Sequence, residues 1–476
     1  MKRVLVIGAF NILHPGHIRL LRFAKECGDH LTIAVFSDKT TSQPIHVPES
    51  LRLECVESNS YVDEAFITDE SPTELVERVQ PDILVKGREH ENLENPEEEV
   101  LKRYGGELLF ESGEVSYSSI ELLRKEFSYS ETNQITLPHG YMERHNIEIS
   151  TLTELLDKLS TLKVVVVGDL IMDEYIICDP LGMSQEDPTI VVSPIDKELF
   201  VGGAGIVAAH AAGLGAKKSE LITVTGQDLL SEQANSMLKT MQVSPNFTID
   251  QHRPTTLKQR FRTKEKTLLR VSHLHQSDIS EKFQKKILEK VALLLEDAHL
   301  LVFSDFNYGV LPDELVKKIS KLAEEKGIYT VADSQSSSQI GDISRYKGIN
   351  LLTPTEREAR IALQDYSSGL VILAEKLKQK TKVENILLKL GEEGVLIHAN
   401  NPKENSFITD RISALNSTPK DVAGAGDSML ITAAMILSVG GTIWEASLLG
   451  SLAASLQVSK LGNQPLNISE LNRHLI

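Results

Sequence analysis

The chain has few of the features that would tie it to an oxidising compartment, a membrane or a nucleic acid. Of its 476 residues only Cys27, Cys55 and Cys178 are cysteines, with neither CxxC nor metal-ligand spacing. That excludes a disulfide framework and fits a reduced setting. No apolar run approaches the roughly 18 residues of a membrane helix. The opening segment, MKRVLVIGAF, has too short an apolar run for a signal peptide and passes directly into a strand-like stretch. Basic residues are outnumbered, 50 against 67 acidic, for a net charge of −17. Such a field repels nucleic acid and anionic lipid, leaving small-molecule chemistry in a cytoplasmic protein as the expectation.

What is present is the alternation of buried strand and amphipathic helix that builds parallel α/β sheets. A chain this long exceeds one ordinary core, so two domains are expected. In the first, Arg3–Ile7, Leu31–Phe36, Ala65–Ile67 and Ile83–Val85 read as strands, with helices at His17–Cys27 and Thr73–Val79. Residues 128–150 lose apolar periodicity and read as a linker between a domain over 1–127 and another over 151–476. In the second, strands are expected at Lys163–Val167, Leu221–Val224, Leu300–Phe303, Tyr329–Ala332 and Ile386–Lys389. Thr189–Leu199 and Thr255–Val271 read as antiparallel strands of a lid.

Each half carries its own phosphate-handling motif. Gly8–His17 reads GAFNILHPGH, a strand ending in glycine followed by a turn and a helix start. Backbone N–H groups at such a helix start attract anions, and Gly8 lets the chain approach a nucleotide closely. His14 and His17 bracket Pro15-Gly16 and can aim two imidazoles at one phosphate chain. Nucleotidyl transfer requires in-line positioning and neutralisation of charge on the α-phosphate, which paired donors supply. Near the other end, Gly424–Asp427 reads GAGD. Small residues there leave successive N–H groups open as an anion hole, and Asp427 can take the proton of an attacking hydroxyl.

The amino-terminal segment resembles the HxGH nucleotidylyltransferase superfamily, and within it the cytidylyltransferase-like proteins. Pro81–Gly87 (PDILVKG) and Val115–Ile120 (VSYSSI) match further stretches of that group. The resemblance implies nucleotide and phosphate contacts from Gly8, Phe10, Asn11, Lys86, Ser118, Ser119 and Arg52, with His14 and His17 catalytic. Asn11 stands where the family has Asp.

Residues 152–476 resemble the ribokinase-like sugar kinases. The resemblance rests on KVVVVGDLIMD at Lys163–Asp173, VGGAGIVAAHAAGLGA at Val201–Ala216, LGEEGV at Leu390–Val395, and GAGD. The pattern is that of the bifunctional heptose-phosphate kinase/adenylyltransferases of ADP-heptose synthesis, with the halves in reversed order. It implies a Rossmann-like domain followed by a ribokinase-like α/β domain with a small β lid. It further implies Asp427 as base, sugar contacts from Asp169, Asp173, Gly202 and Gly203, and an ATP-side anion hole from Gly424, Ala425, Gly426, Gly391 and Gly394. Glu358 would organise Mg²⁺ through water.

Five positions depart from the kinase pattern. Ile206 replaces a sugar-gripping Asn, Ser334 and Gln335 replace the Pro-Lys after Asp333, Thr355 replaces the Asn of a metal motif, and Ala423 replaces Thr. The expectation is a homodimeric, Mg²⁺-dependent enzyme acting on a sugar phosphate and ATP. It phosphorylates the anomeric hydroxyl and transfers a nucleotidyl group to a sugar 1-phosphate. The alternative is a CTP-using nucleotidylyltransferase whose kinase-like half is catalytically impaired and serves sugar binding or dimerisation.

Overall fold

A computed structural model describes residues 2–10, 13, 15–40, 47–87, 90, 94–110, 135–187, 189–263, 266–335, 341–400, 408–416 and 418–475. The chain divides into two compact units. The first comprises Met1–Thr132, Leu363–Leu377 and Asn400–Ser413; the second comprises Asn133–Ala362, Lys378–Ala399 and Ala414–Ile476. Among the described residues no helix is long and apolar enough to cross a membrane.

In the first unit, strands β1 (Arg3–Gly8), β2 (His30–Phe36), β3 (Glu64–Thr68), β4 (Ile83–Lys86) and β5 (Glu107–Phe110) form one sheet in the order β3-β2-β1-β4-β5. All its pairings are parallel. Short apolar runs bury both faces, as parallel sheets require. Leu5, Ala34 and Leu84 pack with Leu75, Val76, Val100 and Leu101 from two covering helices. The helix Pro72–Val79 starts at a capping box, in which Ser71 and Glu74 satisfy each other's backbone N–H. Strand order reverses between β1 and β4, and the crevice outside the carboxyl ends at such a point is the usual ligand site of an open α/β sheet.

The second unit opens with residues that the sequence reads as linker. From residue 135 onward that reading needs correction, while 128–134 lie outside the described residues. The helix His139–Arg144 buries Tyr141 completely, and the Tyr141 hydroxyl donates to the Trp444 carbonyl at 3.0 Å. His145 stacks on the Trp444 ring, 3.9 Å between centroids. A few aromatic contacts on a short helix leave no periodic stripe, so the pattern of the sequence could not disclose them.

Strands β6 (Lys163–Gly168), β7 (Leu170–Met183), β8 (Ile190–Gly203), β9 (Lys218–Thr225) and β10 (Val243–Ile249) follow. Then come β11 (Leu257–Thr263), β12 (Lys266–His273), β13 (Leu300–Asp305), β14 (Tyr329–Ser334), β15 (Leu351–Leu352), β16 (Asn385–Lys389) and β17 (Val395–Ala399). Within this unit the main sheet runs β10-β9-β6-β13-β14-β15-β16-β17, parallel except for the antiparallel β16–β17 pair. Val164–Val167 are essentially inaccessible, each contributing on the order of 1.5–3 kcal/mol by burial.

The lid is a separate sheet of order β12-β11-β7-β8. Its long β7 has no counterpart among the strands read from the sequence, and β11 runs parallel to β7 rather than antiparallel. The remaining lid pairs, β7–β8 and β11–β12, are antiparallel as expected. In the main sheet, chain order reverses between β6 and β13. The carboxyl ends of β6, β13, β14 and β16 bring Asp169, Asp305, Asp333 and Lys389 to that edge.

Candidate functional sites

At the switch point of the first unit, β1 delivers Gly8 and β4 delivers Lys86. Phe10 adopts the left-handed region at φ +47°, and its ring meets that of His17 at 5.3 Å between centroids. His17 lies in the first turn of the helix Pro15–Glu26, which carries no acidic side chain in that turn. Lys86 Nζ donates to Asn95 Oδ1 at 2.9 Å and to Glu97 Oε2 at 2.8 Å. Asn11, His14, Ser118 and Ser119 lie outside the described residues.

Arg52 occupies a different position from that of a phosphate ligand. It is only 1% exposed, and its guanidinium donates to the carbonyls of Val47 (2.9 Å), Phe36 (2.8 Å) and Ala9, and to Asp38 (2.6 Å). It therefore ties together the carboxyl ends of β1 and β2, fixing the turn that carries the motif. The same guanidinium holds the Asp38 carboxyl below its ordinary range.

In the second unit, Gly424 takes φ +77° and caps the helix Ala425–Ser438. A side chain there would be strained and would meet Asn463. Gly424, Ala425 and Gly426 thus form the start of a helix whose first turn carries Asp427. Asp427 is buried, and its pKa is pushed up to about 7. Burial is the main cause, reinforced by Asp333 and opposed by the cations of Lys389 and Lys258. A carboxylate poised near neutrality suits a general base. The turn with Gly391 (φ +64°) and Gly394 (φ +90°) follows Lys389 directly.

On the sugar side, Asp173 is 4% exposed and faces Gly202, whose missing Cβ leaves room for the carboxylate. Gly203 begins the turn into the helix Ala204–Gly213. Asp169 is turned elsewhere. Its carboxylate accepts the backbone N–H groups of Phe306 (2.9 Å), Tyr308 (3.2 Å) and Val310 (3.3 Å). Burial and the Asp305 charge raise its pKa to about 6. Asp169 positions the 306–310 loop rather than offering its carboxylate to a sugar.

The departures from the kinase pattern have structural counterparts. Ser334 donates to Asp305 at 3.1 Å, and the Gln335 carbonyl accepts from Asn307 at 2.8 Å, so both brace the end of β14. Thr355 and Glu358 exchange backbone and side-chain hydrogen bonds at 2.7 and 3.3 Å, holding Glu358 at the start of its helix. The Ala423 N–H donates to Asp421 at 3.1 Å. Ile206 is completely buried and offers no polar group.

Four residues at this site were missed in the sequence. Lys389 binds both carboxylate oxygens of Asp333, at 2.8 and 2.9 Å. Lys258 lies 5.0 Å from the Phe306 ring centroid, and Arg260 approaches Asp173 to 3.6 Å. Both belong to β11, where Lys258, Arg260 and Arg262 alternate along one face. That period of two was the available signal. Asn463 donates to Asp173 at 3.2 Å, directly after Lys460–Gly462, a stretch that itself matches the kinase pattern. Among the described residues no cluster of three or more His, Cys, Asp or Glu side chains could hold a metal ion alone. Glu358 and Asp333 are close enough to interact electrostatically, fitting an ion that arrives with nucleotide phosphates.

Comparison with known proteins gives two family matches, pfkB family carbohydrate kinase over residues 161–469 and cytidylyltransferase-like over residues 5–107. The chain is 30% identical over 321 residues to the bifunctional protein HldE of Desulfatibacillum aliphaticivorans, covering 66% of this chain and 63% of that protein. It is 32% identical over 315 residues to HldE of Coxiella burnetii, with the same coverage of 66% and 63%. The similarity thus spans somewhat less than two thirds of these relatives. Ribokinase from Thermotoga maritima superposes with a TM-score of 0.53 at 21% identity, covering 66% of this chain and 99% of that one. Phosphofructokinase-2 from Escherichia coli, in complex with fructose-6-phosphate, gives 0.55 at 16%, covering 66% and 98%. Both share the fold of the carboxy-terminal part.

Proposed function

The chain belongs to the pfkB family of carbohydrate kinases, and on that footing we propose a bifunctional sugar-phosphate kinase and nucleotidylyltransferase that makes a nucleotide-activated sugar. The observation that carries the kinase reading is Asp427, a buried carboxylate raised to about 7 beside the open amides of the GAGD turn. In the reaction Asp427 accepts the proton of the acceptor's anomeric hydroxyl as that oxygen attacks the terminal phosphorus of ATP, whose bond to the β,γ-bridging oxygen breaks to release ADP. The helix-start N–H groups take up charge on the transferring phosphoryl oxygens. Mg²⁺, held by the nucleotide phosphates and by Glu358 through water, would neutralise phosphate charge.

Lys258 and Arg260 on the lid strand favour an anionic acceptor, a sugar phosphate such as a heptose 7-phosphate. In the first unit, Gly8 ends β1, His17 lies in the first turn of the helix that follows, and Lys86 ends β4, on the strands that flank the switch point. There a sugar 1-phosphate oxygen attacks the α-phosphorus of ATP and pyrophosphate leaves. A phosphatase acting between the two steps would supply the 1-phosphate from a doubly phosphorylated sugar. We place the enzyme in the cytoplasm as a homodimer.

The second reading is a CTP-using transferase with an impaired kinase-like half. It is favoured by Ile206, Ala423 and the loss of the lysine after Asp333, where Ser334 and Gln335 now stand. Mass spectrometry of products from a panel of sugar phosphates with ATP or CTP separates the two. ADP together with a nucleotide-sugar supports the bifunctional enzyme. A nucleotide-sugar formed from supplied sugar 1-phosphate, with no ADP from any panel member, supports the second reading.

A further inference from the structure

Two oxygen atoms deep in the kinase site accept no hydrogen bond: Oδ1 of Asp173 and Oδ1 of Asn463. Their residues are 4% and 5% exposed. A buried acceptor without a donor costs about 1–3 kcal/mol, so such atoms in a native structure call for a reason. The two side chains touch, because Asn463 Nδ2 donates to Asp173 Oδ2 at 3.2 Å. That contact uses one amide hydrogen and leaves both buried Oδ1 atoms without a hydrogen bond. Asp173 Oδ1 has an ion-pair partner in the Arg260 guanidinium at 3.6 Å, beyond ordinary hydrogen-bond length.

The position of Asn463 is defined on two sides by glycine. A Cβ built on Gly202 would lie 3.2 Å from its Nδ2, and one on Gly424 would lie 2.5 Å from its Oδ1. The amide therefore spans the gap between the sugar-side turn and the anion-hole turn. Asn463 is also held in place. The preceding Gly462 donates its N–H to Asp421 at 3.1 Å, and its carbonyl accepts from Gln457 at 3.0 Å. Asp421 in turn accepts from the Tyr175 hydroxyl at 2.7 Å.

We propose that Asn463 sets acceptor specificity, and that its Oδ1 and Asp173 Oδ1 receive the hydroxyl protons of two neighbouring hydroxyls on one sugar. The ligand class is a polyol carrying adjacent hydroxyls next to the one that is phosphorylated. Asn463 supplies from the carboxy-terminal side the amide that Ile206 cannot. The inference rests on the kinase reading above for its turnover assay, and on binding alone for its second arm.

The test uses the full chain with hexose 6-phosphates, heptose 7-phosphates and their monodeoxy analogues as probes. Asn463→Ala should raise the acceptor KM by roughly 10–100-fold while the ATP KM stays within about twofold. The gap between wild type and variant should close for the one analogue that lacks the contacted hydroxyl. Asn463→Ser, which restores an acceptor oxygen in a smaller volume, should recover part of the loss and covers the case in which the alanine variant fails to fold. An unchanged acceptor KM, or an equal loss with every analogue, overturns the inference while leaving the kinase reading intact. Should the wild type phosphorylate no panel member, the kinase reading fails, and calorimetric acceptor binding decides. Weaker binding in Asn463→Ala that is absent for one analogue supports the inference; equal binding, or no binding by wild type, overturns it.

Discussion

The ammonium of Lys389 binds both carboxylate oxygens of Asp333, 2.8 and 2.9 Å away, at the carboxyl ends of β16 and β14, which flank β15. The sequence pattern suggests that a cation is lost after Asp333, where Ser334 and Gln335 stand. The fold brings one from a different strand. Its position beneath the anion turn is close, since a Cβ on Gly426 would lie 3.2 Å from Lys389 Nζ. The charge is thus available both to an incoming phosphoryl group and to Asp427.

Lys389→Met should lower kinase kcat/KM by about 10²–10³-fold, the usual scale for removing one preorganised charge from a transition state. It should also destabilise the chain by about 3–5 kcal/mol, because Asp333 is left buried without its partner. Adding Asp333→Asn should return most of the stability and none of the activity. Thermal melts and ADP-release kinetics on the single and double variants check this. Full activity in Lys389→Met would make the pair purely structural.

Asp427 ties activity to pH and activity to stability. As a base it works deprotonated, so kcat/KM should rise with pH through about 7 and then level. Lys389 and Lys258 hold that value down; Lys389→Met should move the acid limb to higher pH. The stability effect has the opposite sense. With its folded-state pKa raised from 3.8 to about 7, the native protein holds this proton more tightly than the unfolded chain. The corresponding stability is present below pH 4 and lost as pH rises through 7. At pH 8 the ionised carboxylate costs on the order of 4 kcal/mol. Asp427→Asn should therefore abolish ADP production yet melt higher than wild type at pH 8, with the advantage vanishing near pH 4. A variant that melts no higher at pH 8 would show that Asp427 is not held out of water as its burial indicates.

Much of this was legible in the chain, for physical reasons that also mark where legibility ended. Val164–Val167 had to be a doubly covered strand because four consecutive valines fit nothing else so well. GAGD and GAFNILHPGH were readable as helix starts because that signal is local, set by backbone within one turn. Lys389, Asn463 and Lys258 were not, since each acts across strands or from the far end of the chain. The resemblance assigns Arg52 and Asp169 to ligands, yet Asp169 spends its carboxylate on backbone N–H groups and Arg52 its guanidinium on backbone carbonyls and Asp38, in the turns beside the sites. Sequence identifies a charged residue near a motif; only packing tells whether it faces the cleft or supports it.

The lid gives the expected dimer a physical basis. Strand β8 lies at the edge of its sheet, and the β7–β8 hairpin leaves Leu181, Met183, Ile190 and Ile195 between 59% and 67% exposed. An unpaired apolar edge is a liability that a second copy would cover. Wild type should elute as a dimer at micromolar concentration, and the double change Ile190→Asp with Ile195→Asp should give a monomer of undiminished melting temperature. Light scattering decides; a wild-type monomer, or a charged variant that still dimerises, places the interface elsewhere.

His17 tests the first unit. It lies in the first turn of the helix that starts at Pro15, its ring centroid is 5.3 Å from that of Phe10, and Phe10 holds a left-handed backbone in the turn before it. An imidazole so placed can donate to an α-phosphate oxygen as charge develops there. Its loss in His17→Ala should slow pyrophosphate release on the order of 10²–10³-fold. ADP production by the kinase half should continue. Arg52→Leu should reduce pyrophosphate release too, but for another reason: the carbonyls of Phe36 and Val47 lose their donor, and the first unit should melt earlier. His17→Ala should keep its wild-type melting temperature. Comparing the two variants in melts and in paired pyrophosphate and ADP assays therefore separates chemistry from support. A wild-type rate of pyrophosphate release in His17→Ala would remove the imidazole from the reaction, and a matching loss of ADP would mean that the two activities are coupled.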